Sequence, residues 1–178
     1  MTRAPVGATK VRVRQANGND LDALVRLEAH SNPVPWSRQM ISTELDRSQG
    51  ALLVATERGE VIGYICCAGQ GDSWHVLNVA VDTGCRNRGV GAQLVDAAIA
   101  ALHGNPYRRY TLEVRVSNAR AIHLYEAAGF RTTGVRRGYY TDNREDAYVM
   151  WKDPIPPAGD GTGSEGSVAR AGGKVLRG

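Results

Sequence analysis

A chain of 178 residues, 42% hydrophobic and 22% charged, is long enough to bury one adequate core without disulfides or metals, so a single compact domain is expected. Three cysteines, two of them adjacent at Cys66 and Cys67, form no C-x-x-C pair; this argues against a disulfide framework or a zinc knuckle and fits a reducing compartment. A net charge of +4, spread rather than clustered, argues against nucleic-acid binding as a primary role. The chain has no apolar run long enough for a membrane span or a signal peptide, which predicts a soluble, cytoplasmic protein.

Residues 1–9 read as a short flexible lead. Lys10 to Gln15 alternates Val11 and Val13 with Arg12 and Arg14, the pattern of a strand. Asn19 or Asp20 is placed to cap a helix on which Leu21, Leu24, Val25 and Glu28 follow helical spacing. Ser37 is placed to cap a second, carrying Met40, Ile41 and Leu45. Two strands follow, Ala51 to Thr56 and Glu60 to Cys67, joined as a hairpin across Arg58-Gly59. Trp74 to Val81 is a fourth strand, and the glycine-containing loop after it opens a helix with Leu94, Ala98 and Leu102 on one face. Tyr110 to Val116 is a fifth strand. Asn118 makes a natural N-cap and Gly129 a natural C′ residue for a helix whose Ala121, Ile122 and Tyr125 share a face. A hairpin from Phe130 to Arg137 and Ala147 to Trp151 closes the domain, which spans residues 10–152. This order predicts an α/β sandwich around a mixed sheet. From Asp153 to Gly178, prolines and then glycines with few large apolar residues predict a disordered tail.

The segment from Asn78 to Gly91 carries the most chemical information. Glycines at the mouth of a helix let main-chain N–H groups approach an anion, and the helix N-terminus adds partial positive charge, so a diphosphate is the natural guest. The chain has no G-x-x-x-x-G-K-[ST], and Gly89-Val-Gly91-Ala-Gln-Leu94 lacks the third glycine of a dinucleotide fingerprint. Arg86-x-x-Gly89-x-Gly91 after a strand ending Val79-Ala-Val-Asp82 resembles the acetyl-CoA loop of the GCN5-related N-acetyltransferases, the GNAT superfamily. The resemblance runs over residues 11 to 152. Within that superfamily, the string from Leu112-Glu113 through Asn118, Ala121 and Tyr125 to Gly129-Phe130 is similar to the ribosomal-protein-alanine N-acetyltransferases, the RimI-like enzymes. Pro35-Trp36-Ser37 and Arg136-Arg137-Gly138-Tyr139-Tyr140 agree with that resemblance. Thr83 stands where the family often has proline, and Ala92 where a basic residue is frequent, which omits one phosphate contact.

The resemblance implies a three-layer sandwich, with a mixed, mostly antiparallel sheet of about seven strands and four helices. It also implies acetyl-CoA as cosubstrate. Asn87, Arg88, Gly89, Val90, Gly91 and Ala92 would then cradle the pyrophosphate, Val79, Ala80 and Val81 would meet the pantetheine arm, and Asn118 would touch the cofactor as well as cap its helix. Glu113 becomes the proton acceptor and Tyr125 the proton donor to the leaving sulfur. Tyr139 and Tyr140 become hydrogen-bonding partners of a substrate backbone, faced by Pro35 and Trp36. The bland readings are a solvated face for Glu113, core packing for Tyr125, cross-strand packing for the tyrosine pair and a hydrophobic staple for Trp36. His30, His75, His103 and His123 lack metal-ligand spacing and read as surface or core residues; no metal is expected. The function expected is N-alpha-acetylation of a protein N-terminus, a ribosomal protein's alanine in particular. The rivals are the same fold acting on a small amine or a lysine side chain, and a non-catalytic acyl-CoA-binding sensor.

Overall fold

Consecutive residues of one sheet, packing into cores on its two opposite faces, set the architecture of this computed structural model, which describes residues 10–103 and 109–153. The strands are β1 (Arg12–Gln15), β2 (Gly50–Glu57), β3 (Glu60–Gln70), β4 (Ser73–Val81), β5 (Arg109–Arg115), β6 (Arg131–Tyr140) and β7 (Glu145–Lys152). The helices are α1 (Leu21–Ser31), α2 (Arg38–Leu45), α3 (Val90–Ala101) and α4 (Ala119–Ala127). Leu52 and Leu53 show the period of two: Leu52 joins Leu24, Ile41 and Tyr64 under α1 and α2, while Leu53 joins Ile65, Leu94 and Tyr125 under α3 and α4. The result is the expected three-layer sandwich.

The sheet order is β1-β2-β3-β4-β5-β7-β6. All neighbours are antiparallel except β4 and β5, which run parallel and pair only at Ser73↔Arg109, Trp74↔Tyr110 and His75↔Thr111. Beyond His75 and Thr111 the two strands part, and this split in mid-sheet is where the site lies. A β-bulge in β4 sits beside it: Cys66 pairs with Asn78 and Cys67 with Val76, leaving Leu77 as the extra residue. The bulge reverses the alternation. Val76 therefore packs in the α3/α4 core and Ala80 in the α1/α2 core, and Asn78 lies on the Ala80 face, where it bonds Glu28 of α1.

Local signals hold at most boundaries. Arg58 (φ 53°) and Gly59 (φ 88°) form the two-residue hairpin turn between β2 and β3. Ser37 accepts from the Met40 N–H, Asn118 Oδ1 from the Ala121 N–H, and Gly129 (φ 89°) ends α4 with Phe130 N–H bonded back to the Tyr125 carbonyl. The cap expected at Asn19 or Asp20 is displaced to Asn17. Asn17 closes a capping box with Asp20 around a 3-10 turn, while Asp20 spends both carboxylate oxygens on Arg14 at 2.7 and 2.8 Å and caps nothing in α1. The expected lead, 1–9, and all of the expected tail except Asp153 lie outside the described residues. Asp153 itself pairs with Arg131.

Candidate active site

The turn from Val81 into α3 is shaped by backbone geometry. Asn87 (φ 61°) and Gly89 (φ 75°) both take left-handed conformations, and Arg86 Nε bonds the Val81 carbonyl at 3.1 Å, folding the loop back on its strand. Gly91 has no room for a larger residue without displacing Leu124, whose Cδ2 would lie 3.1 Å from an added Cβ. Whereas α2 and α4 have side-chain caps, Gly89 offers none to α3. The first-turn N–H groups of a twelve-residue helix are thus left to whatever enters the adjoining cavity. That cavity, about 570 Å³, is lined by Val79, Ala80 and Val81, by Asn87 and Gly89 through Ala92, and by Asn118. Arg88 is the exception among the expected cradle residues. Its guanidinium pairs with Glu57 instead.

A second cavity of about 770 Å³ adjoins the first and is lined by Glu113, Trp36, Tyr139 and Tyr140. The two share Ser31, Asn32, Val79, Asn118, Ala121 and Tyr125. Tyr125 therefore stands where they meet. Its ring packs edge-on against Phe130 at 5.8 Å, and burial pushes its hydroxyl above the ordinary phenol range, so it stays protonated.

Glu113 projects from β5 on the face opposite Leu112 and Val114. Its Oε2 lies 2.9 Å from His75 Nε2 and its Oε1 3.1 Å from Arg136 Nη1. The hydrogen bond from His75, helped by the charge of Arg136, holds the carboxyl group below its usual range despite partial burial, which acts the other way. It is ionised at neutral pH. Around it, Tyr139 and Tyr140 stand edge to face at 5.2 Å; Arg136 lies over the first and Arg115, at 3.8 Å from the ring centroid, over the second. Among the described residues no group of three or more His, Cys, Asp or Glu is arranged to hold a metal ion. Among the same residues no helix is long and apolar enough to cross a membrane.

The chain matches the Acetyltransferase (GNAT) family over residues 21–130. It belongs to that family. It is an acyltransferase. A ribosomal protein bS18-alanine N-acetyltransferase of Escherichia coli (strain K12) is 34% identical over 136 residues, covering 74% of this chain and 89% of that protein. An N-alpha-acetyltransferase of Sulfurisphaera tokodaii is 33% identical over 156 residues, covering 78% and 90%. The crystal structure of the ribosomal-protein-S18-alanine N-acetyltransferase from Escherichia coli superposes with a TM-score of 0.75 at 30% identity, over 87% of this chain and 100% of that one.

In this GNAT chain the loop between α1 and α2 contributes Pro33, Val34 and Trp36 to the cavity that holds Glu113, while Pro35, expected in that wall, is not among the lining residues. Trp36 also packs against the α1/α2 core that contains Ile41. The loop is anchored by a residue that helical spacing alone left anonymous. Glu28, fully buried, accepts from the Trp36 N–H (3.0 Å), Asn32 Nδ2 (2.7 Å), Asn78 Nδ2 (3.0 Å) and the Tyr64 hydroxyl. His75, read from the sequence as a surface or core residue, meets Glu113 across a parallel pairing that no local pattern announces.

Proposed function

We propose that this GNAT enzyme transfers the acetyl group of acetyl-CoA to the α-amine of a protein N-terminus, the N-terminal alanine of a small-subunit ribosomal protein being the acceptor that its relatives' names suggest. The observation that carries the reading is the meeting of the two cavities at Tyr125, with Glu113 on the acceptor side only. Such a substrate places the reaction in the cytoplasm.

Acetyl-CoA supplies an acetyl group activated as a thioester. The uncapped N–H groups of α3 would take its pyrophosphate, and main-chain N–H groups along Val79 to Val81 its pantetheine arm and thioester oxygen. An α-amine has a pKa of about 7.7–8.0 and is partly neutral at physiological pH. Glu113 therefore need not be a strong base; it needs to be ionised and in place, accepting the amine proton directly or through one water. Tyr125, held protonated, returns a proton to the leaving sulfur. Tyr139 and Tyr140 hydrogen-bond the peptide backbone, and Trp36 and the residues before it close the opposite side.

The test is acetyl-CoA turnover against short peptides that differ in their first two residues, with a polyamine and an internal-lysine peptide alongside, each repeated with Glu113→Ala. Turnover of alanine-starting peptides, lost in the variant, is the expected result. Turnover confined to the small amines would overturn the substrate class, and acetyl-CoA binding without turnover of anything would favour a sensor.

A further inference from the structure

At the point where β4 and β5 part, one side chain bridges the gap. His75 and Thr111 are the last paired residues of the two strands, and Glu113 lies one step further on, on the same face as Thr111. The His75 ring is held at both nitrogens, Nδ1 at 2.8 Å from Thr111 Oγ1 and Nε2 at 2.9 Å from Glu113 Oε2. With the Thr111 hydroxyl donating to Nδ1, the ring proton sits on Nε2 and is given to the carboxylate. The histidine side chain is only 14% exposed and is not among the lining residues of either cavity. It touches the site through Glu113.

The other oxygen is held differently. Oε1 meets Arg136, whose side chain is 58% exposed on a long flexible stem. We propose that His75 is the positioning residue of the base: it fixes Glu113 by Oε2 across the opening between the strands and leaves Oε1, from which Arg136 is readily displaced, to meet the amine or its water. The proposal rests on the reading in which Glu113 is the base. On β5 alone, the glutamate would keep the rotamer freedom of a long side chain beside a cavity, and a proton acceptor displaced by an ångström loses much of its effect. Fixing Oε2 leaves the chemistry to Oε1.

The test is a mutant cycle read in kcat, in the KM values of both substrates, in calorimetric acetyl-CoA binding and in melting temperature. His75→Phe keeps the ring's volume and removes both nitrogens; it should lower kcat about 10-fold or more, part of the 10²–10⁴ that a positioned base supplies, with both KM values within about twofold. His75→Gln, which keeps an N–H donor near the Nε2 position, should recover much of the loss. Thr111→Val, nearly isosteric, should show a smaller loss of the same kind and serves if His75→Phe does not fold. In a Glu113→Ala background neither change should cost anything further, because residues acting as a unit are not additive. Full kcat in both His75→Phe and Thr111→Val beside an impaired Glu113→Ala would sink this proposal alone, as would an undiminished loss in the Glu113→Ala background. Full turnover by Glu113→Ala would sink the base reading and the proposal with it.

Discussion

The hydroxyl of Tyr64 lies 2.5 Å from Oε2 of Glu28, both side chains being essentially without solvent contact. Burial, and next the glutamate beside it, push that hydroxyl far above its ordinary range, so it stays a donor. Replacing Glu28 by alanine would leave Tyr64, Asn32, Asn78 and the Trp36 N–H without their acceptor. The expected cost is about 3–5 kcal/mol, the scale of a broken buried network. The melting temperature should fall by about 2–4 °C for each of those kcal/mol. Because Trp36 lines the cavity of Glu113 and not that of the α3 N-terminus, surviving activity should show a raised peptide KM with a smaller change for acetyl-CoA. A melting curve that does not move would show the network to be dispensable.

Gly59 and Gly89 share a left-handed backbone, and an added Cβ would touch nothing within 4 Å at either. Alanine at each should carry a similar strain of about 1–2 kcal/mol. Only Gly89 borders the uncapped N–H groups of α3. If strain of about 1.4 kcal/mol is relieved by turning those groups away from the cavity, acetyl-CoA should bind about tenfold more weakly to Gly89→Ala and unchanged to Gly59→Ala. Calorimetric titration decides; equal affinities for the two variants would remove the cradle from the account.

Tyr125→Phe removes one oxygen from the junction of the cavities. Turnover should drop about 100-fold, the lower range for a lost proton donor, with acetyl-CoA affinity and melting temperature nearly unchanged. The pH profile gives the sign independently. Glu113 is held below the usual carboxylate range and Tyr125 above the usual phenol range, so the first stays ionised and the second protonated across neutral pH. kcat/KM should rise with the deprotonation of the substrate's α-amine, at about 7.7–8.0, and then stay level to about pH 10. A falling limb below pH 10 that vanishes in Tyr125→Phe would contradict this.

What the sequence made legible is what short-range chemistry controls. The Arg58-Gly59 turn, the Ser37 and Asn118 caps, the Gly129 stop and the glycine-rich entry to α3 each depend on a few adjacent residues, and each is where local preference puts it. Glu113 and Tyr125 were singled out by their spacing and by family resemblance. Their surroundings were not legible. His75 and Thr111 are 36 residues apart, and Glu28 reaches 50 residues on to Asn78, so neither contact exists until strand register is set. The β4 bulge at Leu77 reverses which residues face which layer, and a strict alternation read from Trp74 to Val81 would place His75 and Asn78 on opposite faces. Arg88 and Pro35 were expected in the site by position in a motif, but a motif does not say where a side chain turns, and the Arg88 guanidinium goes to Glu57.

The turn between β6 and β7 is tied to the acceptor cavity by an acid-sensitive brace. Glu145 accepts from the Ser117 N–H at 3.0 Å, from Arg115 at 3.0 Å and from Asn143 at 3.2 Å, and Arg115 also grips both oxygens of Asp142 while covering the Tyr140 ring. The bonds from Ser117, then those from Arg115 and Asn143, lower the Glu145 carboxyl group to about 2. A group whose folded pKa lies below its unfolded one, about 4.3 for glutamate, contributes its full stabilisation above the unfolded value. That contribution is lost as pH falls from there through the folded value. Melting temperatures of the parent and of Glu145→Gln should therefore differ most above about pH 5 and converge toward pH 2. A constant gap would mean the substitution acts by shape rather than charge. Since Arg115 links this brace to Tyr140, Arg115→Lys, which keeps the charge but not the flat two-pronged grip, should raise the peptide KM and leave acetyl-CoA binding unchanged. A loss in acetyl-CoA affinity instead would place Arg115 on the donor side and break the division of the two cavities.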